Sequence, residues 1–224
     1  MYIKIDKLQK KYKEQIILNN ISFQIQKGEI CGLIGINGAG KSTLMKILMG
    51  ITQKTSGEIY INNNPWCRKN LEKMGGIIEK PAIYENLNAF DNLKVKALLY
   101  NINDKQIYET LNIVGLKNTN KKTMHFSMGM KMRLGIALAI LNKPEFLILD
   151  EPTNGLDPLG IKEFKELIMK LKNNKTTILL SSHQLKDIAE ISTHIIMINK
   201  GQIAYDGFFN STEQLEKKFF EIIR

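Results

Sequence analysis

No run of about 18 apolar residues occurs anywhere in this 224-residue chain, so the sequence predicts no membrane-spanning helix. Its start, MYIKIDKLQKKYKEQ, alternates and becomes charged too early to read as a secretory signal. Cysteine is nearly missing: Cys31 and Cys67 stand far apart, with no CxxC spacing and no Cys/His cluster. That excludes a disulfide framework and a zinc site and predicts a reducing, cytoplasmic setting. Arginine is scarce too, with Arg68, Arg133 and Arg224 making up three of the 32 basic residues. Because arginine is preferred for bidentate phosphate and base contacts, the net charge of +10 reads as a lysine-biased composition, and no nucleic-acid partner is expected. Internal repeats and low-complexity tracts are also lacking.

What remains is material for one packed domain: 43% hydrophobic and 24% charged residues, in a length that suits one α/β domain with a small insertion. Tyr2 to Leu8, Ile16 to Gln26 and Gly57 to Asn62 alternate or are β-branched, which predicts a small antiparallel sheet near the N-terminus. Runs at Glu29 to Ile34, Gly75 to Ile78, Phe146 to Leu149, Thr176 to Leu180 and Ile195 to Ile198 are apolar enough for strands buried on both faces. Asn199, Lys200 and Gly201 then turn the chain into Gln202 to Tyr205, a closing hairpin. Between about 86 and 140 the period is helical, with Phe90, Leu93 and Ala97 on one stripe, which predicts an inserted helical subdomain. After Pro158, the residues Phe164, Leu167, Ile168 and Leu171 recur at helical spacing and read as core. The class is α/β with a mainly parallel sheet, in one domain spanning residues 1–224.

Gly35-Ile36-Asn37-Gly38-Ala39-Gly40-Lys41-Ser42-Thr43 follows a predicted strand and opens a predicted helix, the context a phosphate-binding P-loop requires. The glycines let successive backbone N–H groups turn toward phosphates, and the helix start adds its positive end. Lys41 would neutralise the β and γ phosphates of ATP, and Ser42 would bind Mg²⁺. A second anchor, Phe146-Leu147-Ile148-Leu149-Asp150-Glu151, is an apolar strand ending in two carboxylates, at the sheet edge where ligands of open α/β sheets bind. Asp150 would hold Mg²⁺ and Glu151 would act as general base on the attacking water; the same residues before Pro152 would equally serve to cap a following helix.

With these anchors, the chain resembles the nucleotide-binding subunit of ATP-binding cassette (ABC) transporters over essentially its whole length. The resemblance implies a P-loop NTPase (RecA-like) core with an N-terminal antiparallel β-subdomain. Phe126-Ser127-Met128-Gly129-Met130 looks like the family's signature, usually Leu-Ser-Gly-Gly-Gln, keeping Ser127 and Gly129 and departing at the other three places. Asn154-Gly155-Leu156-Asp157 is similar to its D-loop, and His183, three residues beyond the run ending at Leu180, to its switch histidine. Tyr12 is similar to the aromatic that stacks on adenine, although a strand-surface tyrosine would look the same. His125 and His194 match nothing and stay unassigned.

Glu79, in Ile77-Ile78-Glu79-Lys80-Pro81, stands where the family generally carries a glutamine that touches Mg²⁺ and relays contact to the membrane partner. With a signature of the Ser-x-Gly-Met type, this glutamate is similar to the subgroup that protects Gram-positive bacteria from lantibiotics and bacitracin-like peptides. The resemblance implies a homodimer closed head to tail over two ATP molecules. It also implies separate transmembrane permease subunits and a place on the cytoplasmic face of the membrane, peripheral through those partners. An exporter subunit for another drug, lipid or ion, or a soluble ABC ATPase acting on ribosomes or DNA, would share the same ATP site. A P-loop kinase would share Lys41 and Ser42 but needs an arginine-rich lid that three arginines do not supply.

Lys41→Ala is expected to weaken ATP binding by about a hundredfold or more, because a charge-assisted phosphate contact is lost at the loop's centre. Titration calorimetry giving wild-type affinity would overturn the phosphate-cradle reading.

Overall fold

The apolar runs form a wall between two cores. In the computed structural model, which describes residues 1–116, 120–173 and 175–223, β1 (Ile3–Tyr12) and β2 (Gln15–Ile25) make an antiparallel hairpin. Then follow β3 (Ile30–Ile34), α1 (Lys41–Leu48), β4 (Ser56–Ile61), the short β5 (Asn64–Pro65) and β6 (Met74–Ile77). Residues 89–140 hold α2 (Ala89–Leu99), α3 (Asp104–Ile113) and α4 (Met128–Ile140), with no strand among the described residues there. The chain ends in β7 (Phe146–Leu149), α5 (Pro158–Asn173), β8 (Thr177–Ser182), α6 (Leu185–Ala189), β9 (His194–Asn199), β10 (Gln202–Phe208) and α7 (Thr212–Ile223).

The large sheet runs β10-β9-β3-β8-β7-β6, parallel except for β10, and the small sheet runs β2-β1-β4-β5. Side chains alternate between the two faces, as a strand's period of two dictates. Ile30 and Ile34, Leu147 and Leu149, Ile178 and Leu180, and Ile195 and Met197 join one core, with the helices of residues 89–140 and α5. Cys31 and Leu33, Phe146 and Ile148, Leu179, and Ile196 and Ile198 join the other, under α1 and the small sheet. Both faces being covered explains why these strands read as continuous apolar runs.

The expected parallel strands and N-terminal sheet form, with shifts of one or two residues at their ends, except that the first strand runs on from the expected Leu8 to Tyr12. Ile78 drops out of the expected 75–78 strand because the backbone turns sharply at Glu79. The helix after Pro158 buries Phe164, Leu167, Ile168 and Leu171, each side chain contributing about 1.5–3 kcal/mol of transfer free energy. The helix α7 was not anticipated; it is amphipathic, with Leu215 buried against the core.

His194, unassigned from sequence, is buried at the start of β9. Its Nε2 lies 2.6 Å from Asp206 Oδ1 and its Nδ1 3.2 Å from Glu29 Oε1. Burial opposes its charge, but the hydrogen bond to Asp206 leads the interactions that outweigh it, and the imidazole pKa is pushed up to about 12. A group that binds its proton more tightly when folded stabilises most below its unfolded pKa of about 6.5 and loses that contribution as pH rises through the folded value. Lys96, lowered by burial to about 8, acts in the opposite sense only above that pH.

Between pH 6.5 and 8, stability to urea is therefore expected to fall with pH by up to about 1.4 kcal/mol per unit. His194→Gln is expected to cost about 3 kcal/mol and to flatten this slope. Parallel slopes in the two proteins would show that His194 does not carry the effect.

Candidate functional site

The loop after β3 is shaped by positive-φ glycines. Gly38 has φ 81 with open space around it, and Gly40 has φ 110, where an added Cβ would sit 2.7 Å from Leu18 Cδ2. Gly40 is the N-cap of α1, so no side chain caps the helix, and no acidic residue sits in its first turn. The leading N–H groups of α1 thus remain available to an anion. Asn37 and Gly38 are exposed at the loop tip, Ala39 is buried with its N–H donating to Ile36 O at 3.1 Å, and Ser42 and Thr43 are half-buried in the first turn.

Lys41 is only 6% exposed. Its ammonium donates to Gly35 O at 2.7 Å and Ile36 O at 3.4 Å and lies 3.4 Å from Glu151 Oε1. A buried ammonium facing two carbonyls and one carboxylate has partners that phosphate oxygens can replace. The residues fit a triphosphate.

The sheet order explains the rest of the cluster. Because β8 lies between β3 and β7, its C-terminal end reaches both the P-loop strand and the carboxylates that follow Leu149. Ser181, fully buried at the end of β8, donates from Oγ to Asp150 Oδ1 at 2.6 Å and accepts from the Glu151 N–H at 2.8 Å. Glu151 sits at φ 49, a left-handed conformation that turns its side chain back toward the loop. Its Oε2 accepts the His183 N–H at 3.3 Å and lies 2.8 Å from His183 Nδ1. A carboxylate clamped between an ammonium and an imidazole is oriented for work on a water or a phosphate, while His183, 45% exposed at its side chain, stays accessible. Sequence reasoning missed Ser181, although a polar residue closing an apolar strand beside His183 was a usable signal.

Asp150 is 2% exposed. Among the described residues no cluster of three or more His, Cys, Asp or Glu forms a metal cage. The Ser42 hydroxyl and Asp150 nevertheless fit Mg²⁺, which keeps its waters and is usually held by one or two protein oxygens plus substrate phosphates.

Glu79 follows β6 at φ 64, and the Lys80 N–H donates to Ile78 O at 2.8 Å, closing a positive-φ γ-turn. Its Oε1 is 2.5 Å from Lys46 Nζ on α1. Lys46 holds the Glu79 carboxyl below the usual range, and the same hydrogen bond raises the Lys46 ammonium. Tyr12 is exposed at the end of β1, its Oη 3.4 Å from Thr52 Oγ1 and its ring 4.3 Å from Lys10 Nζ.

Ser127, Gly129 and Asp157 gather elsewhere. Ser127 caps α4 by accepting the Met130 N–H at 3.3 Å, and Asp157 Oδ1 accepts the Gly160 N–H at 2.7 Å in the first turn of α5. With Met128, Met130 and Leu156 they line an open cavity of about 640 Å³. No hydrogen bond among the described residues joins them to Lys41, Glu151 or His183.

A family described as ABC transporter matches residues 18–154. The lantibiotic transport ATP-binding protein SrtF of Streptococcus pyogenes is 46% identical over 97% of this chain and 95% of its own length. The bacitracin transport ATP-binding protein BcrA of Bacillus licheniformis is 41% identical over 98% of this chain and 74% of its own. Among solved structures, an ATP-binding subunit of an ABC transporter superposes with a TM-score of 0.88 at 28% identity, covering all of both chains. A dimeric ATP-binding cassette in a post-hydrolysis state, bound to ADP and phosphate, gives 0.83 at 26% identity over 93% of this chain and 99% of that one.

Ser181→Ala removes the hydroxyl that holds the Asp150 carboxylate and the backbone N–H of Glu151. It is expected to cost about 1–3 kcal/mol of stability by leaving buried Asp150 short of a partner, and to lower ATP hydrolysis about tenfold or more. Unchanged turnover in a phosphate-release assay would show that Asp150 and Glu151 are positioned without it.

Proposed function

We propose, from the premise that this chain belongs to the ABC transporter family of ATP-binding proteins, that it powers clearance of a peptide antibiotic through separate membrane-spanning permease subunits. The ATPase reading rests on one observation above all: Lys41, Glu151 and His183 converge at the mouth of the P-loop. Lys41 exchanges its loop carbonyls for phosphate oxygens and fixes the triphosphate. Glu151, held by His183 and by the Ser181 bond to its own N–H, accepts a proton from the attacking water. Bound Mg²⁺ would neutralise developing phosphate charge from Ser42, Asp150 and Glu79. Tyr12 stacks on the adenine.

The separation of Ser127, Gly129 and Asp157 from Lys41 favours a head-to-tail homodimer, in which one copy's half-site covers the nucleotide on the other. Among the described residues no helix is long and apolar enough to cross a membrane. Transport then needs membrane-spanning partners, and the chain works at the cytoplasmic membrane face through them. The substrate class is carried by the relatives named for lantibiotic and bacitracin transport, matched along almost the whole chain.

Glu151→Gln is expected to bind ATP while hydrolysing it at least about a hundredfold more slowly, and to trap a dimer visible by light scattering. Wild-type steady-state hydrolysis would remove Glu151 from the role of base. Mass spectrometry of what co-purifies with the trapped form from detergent-solubilised membranes is expected to find polytopic membrane proteins whose loss sensitises cells to peptide antibiotics. Recovery of ribosomes or DNA would keep the ATPase and overturn transport; recovery of permeases unconnected with peptide resistance would favour export of another drug, lipid or ion.

A further inference from the structure

Glu79 brings a third carboxylate to a sheet edge that already carries Asp150 and Glu151, in a site that must accept the polyanion of ATP. Lys41 faces Glu151 and forms no ion pair with Glu79, and Asp150 adds a negative charge of its own. Among the described residues, Lys46 is the cation within ion-pairing distance of it, at 2.5 Å. Lys46 lies four residues after Ser42 on α1, so its ammonium and the Ser42 hydroxyl share one helix face, a turn apart. The carboxylate is held at that spot by a positive-φ γ-turn, a conformation that persists only where the surroundings restrain it.

We infer that Lys46 is a positioning residue that makes a carboxylate at position 79 compatible with nucleotide binding, by holding and neutralising Glu79 from a place on α1 one helical turn after Ser42. The inference rests on the ATP-binding reading above and deepens it. As a partly exposed pair, Lys46 and Glu79 contribute little to folding. Their effect falls on the bound anion: with Lys46 removed, Glu79 carries an unpaired charge that repels the phosphates, and with Glu79 also neutral the repulsion disappears. Lys46 itself touches no reacting atom.

The test is a double-mutant cycle on the full chain, reading the affinity of trinitrophenyl-ATP in EDTA, where no metal masks the carboxylate. Lys46→Met is expected to weaken binding about tenfold when Glu79 is present and less than about twofold in the Glu79→Gln background, while Lys46→Arg retains affinity. The loss shrinks at high salt, as screening of a partly exposed charge requires. Thermal melts check that each variant is folded, since a merely structural defect would be insensitive to salt and to the residue at position 79. Equal losses in both backgrounds, or no loss in either, overturn the inference and leave ATP binding intact. A wild-type protein that binds no analogue overturns the ATP reading and the inference with it.

Discussion

A buried ammonium needs neutralising partners, and at this sheet edge Lys41 obtains them from its own loop and from Glu151. That requirement constrains everything around it. The loop must curl tightly enough to present two carbonyls, which Gly38 and Gly40 allow through positive φ values. Glu151 must turn back from the end of β7, which it does in a left-handed conformation fixed by Ser181 and His183. The result is a cation held ready, with contacts that an incoming phosphate can take over without reorganising the fold.

The large sheet makes this arrangement rigid. Its central strands are covered on both faces, so their ends are anchored by two cores rather than one. Placing β8 between β3 and β7 brings three strand ends to one edge: a phosphate loop, a pair of carboxylates, and a serine and histidine that orient them. The geometry of this cluster is a property of strand order, since its three segments lie about 30 or more residues apart in sequence. The same edge carries Glu79, whose added charge is met by Lys46 and whose backbone is bent into a strained turn just where β6 ends.

The cavity around Ser127 and Asp157 has a different character. Ser127 and Asp157 serve the chain as caps of α4 and α5. Met128 stands exposed where the family has glycine, and Met130 half-buried where it has glutamine, so this surface is more apolar than the usual signature.

Local sequence determined the elements and the chemistry at their ends. Continuous apolar runs announced strands buried on both faces, Gly35 to Thr43 announced a phosphate loop, and Asp150-Glu151 after an apolar run announced carboxylates at a ligand edge, because each depends on residues close in the chain. Tertiary structure decided which of them meet. That Glu151 lies against Lys41 and His183, that Ser181 ties the Asp150 carboxylate to the Glu151 backbone, that Lys46 pairs with Glu79, and that His194 sits between Glu29 and Asp206 all depend on strand order and register. Those contacts join residues 12 to 165 positions apart, and no pattern within one segment records the distance at which two segments pack.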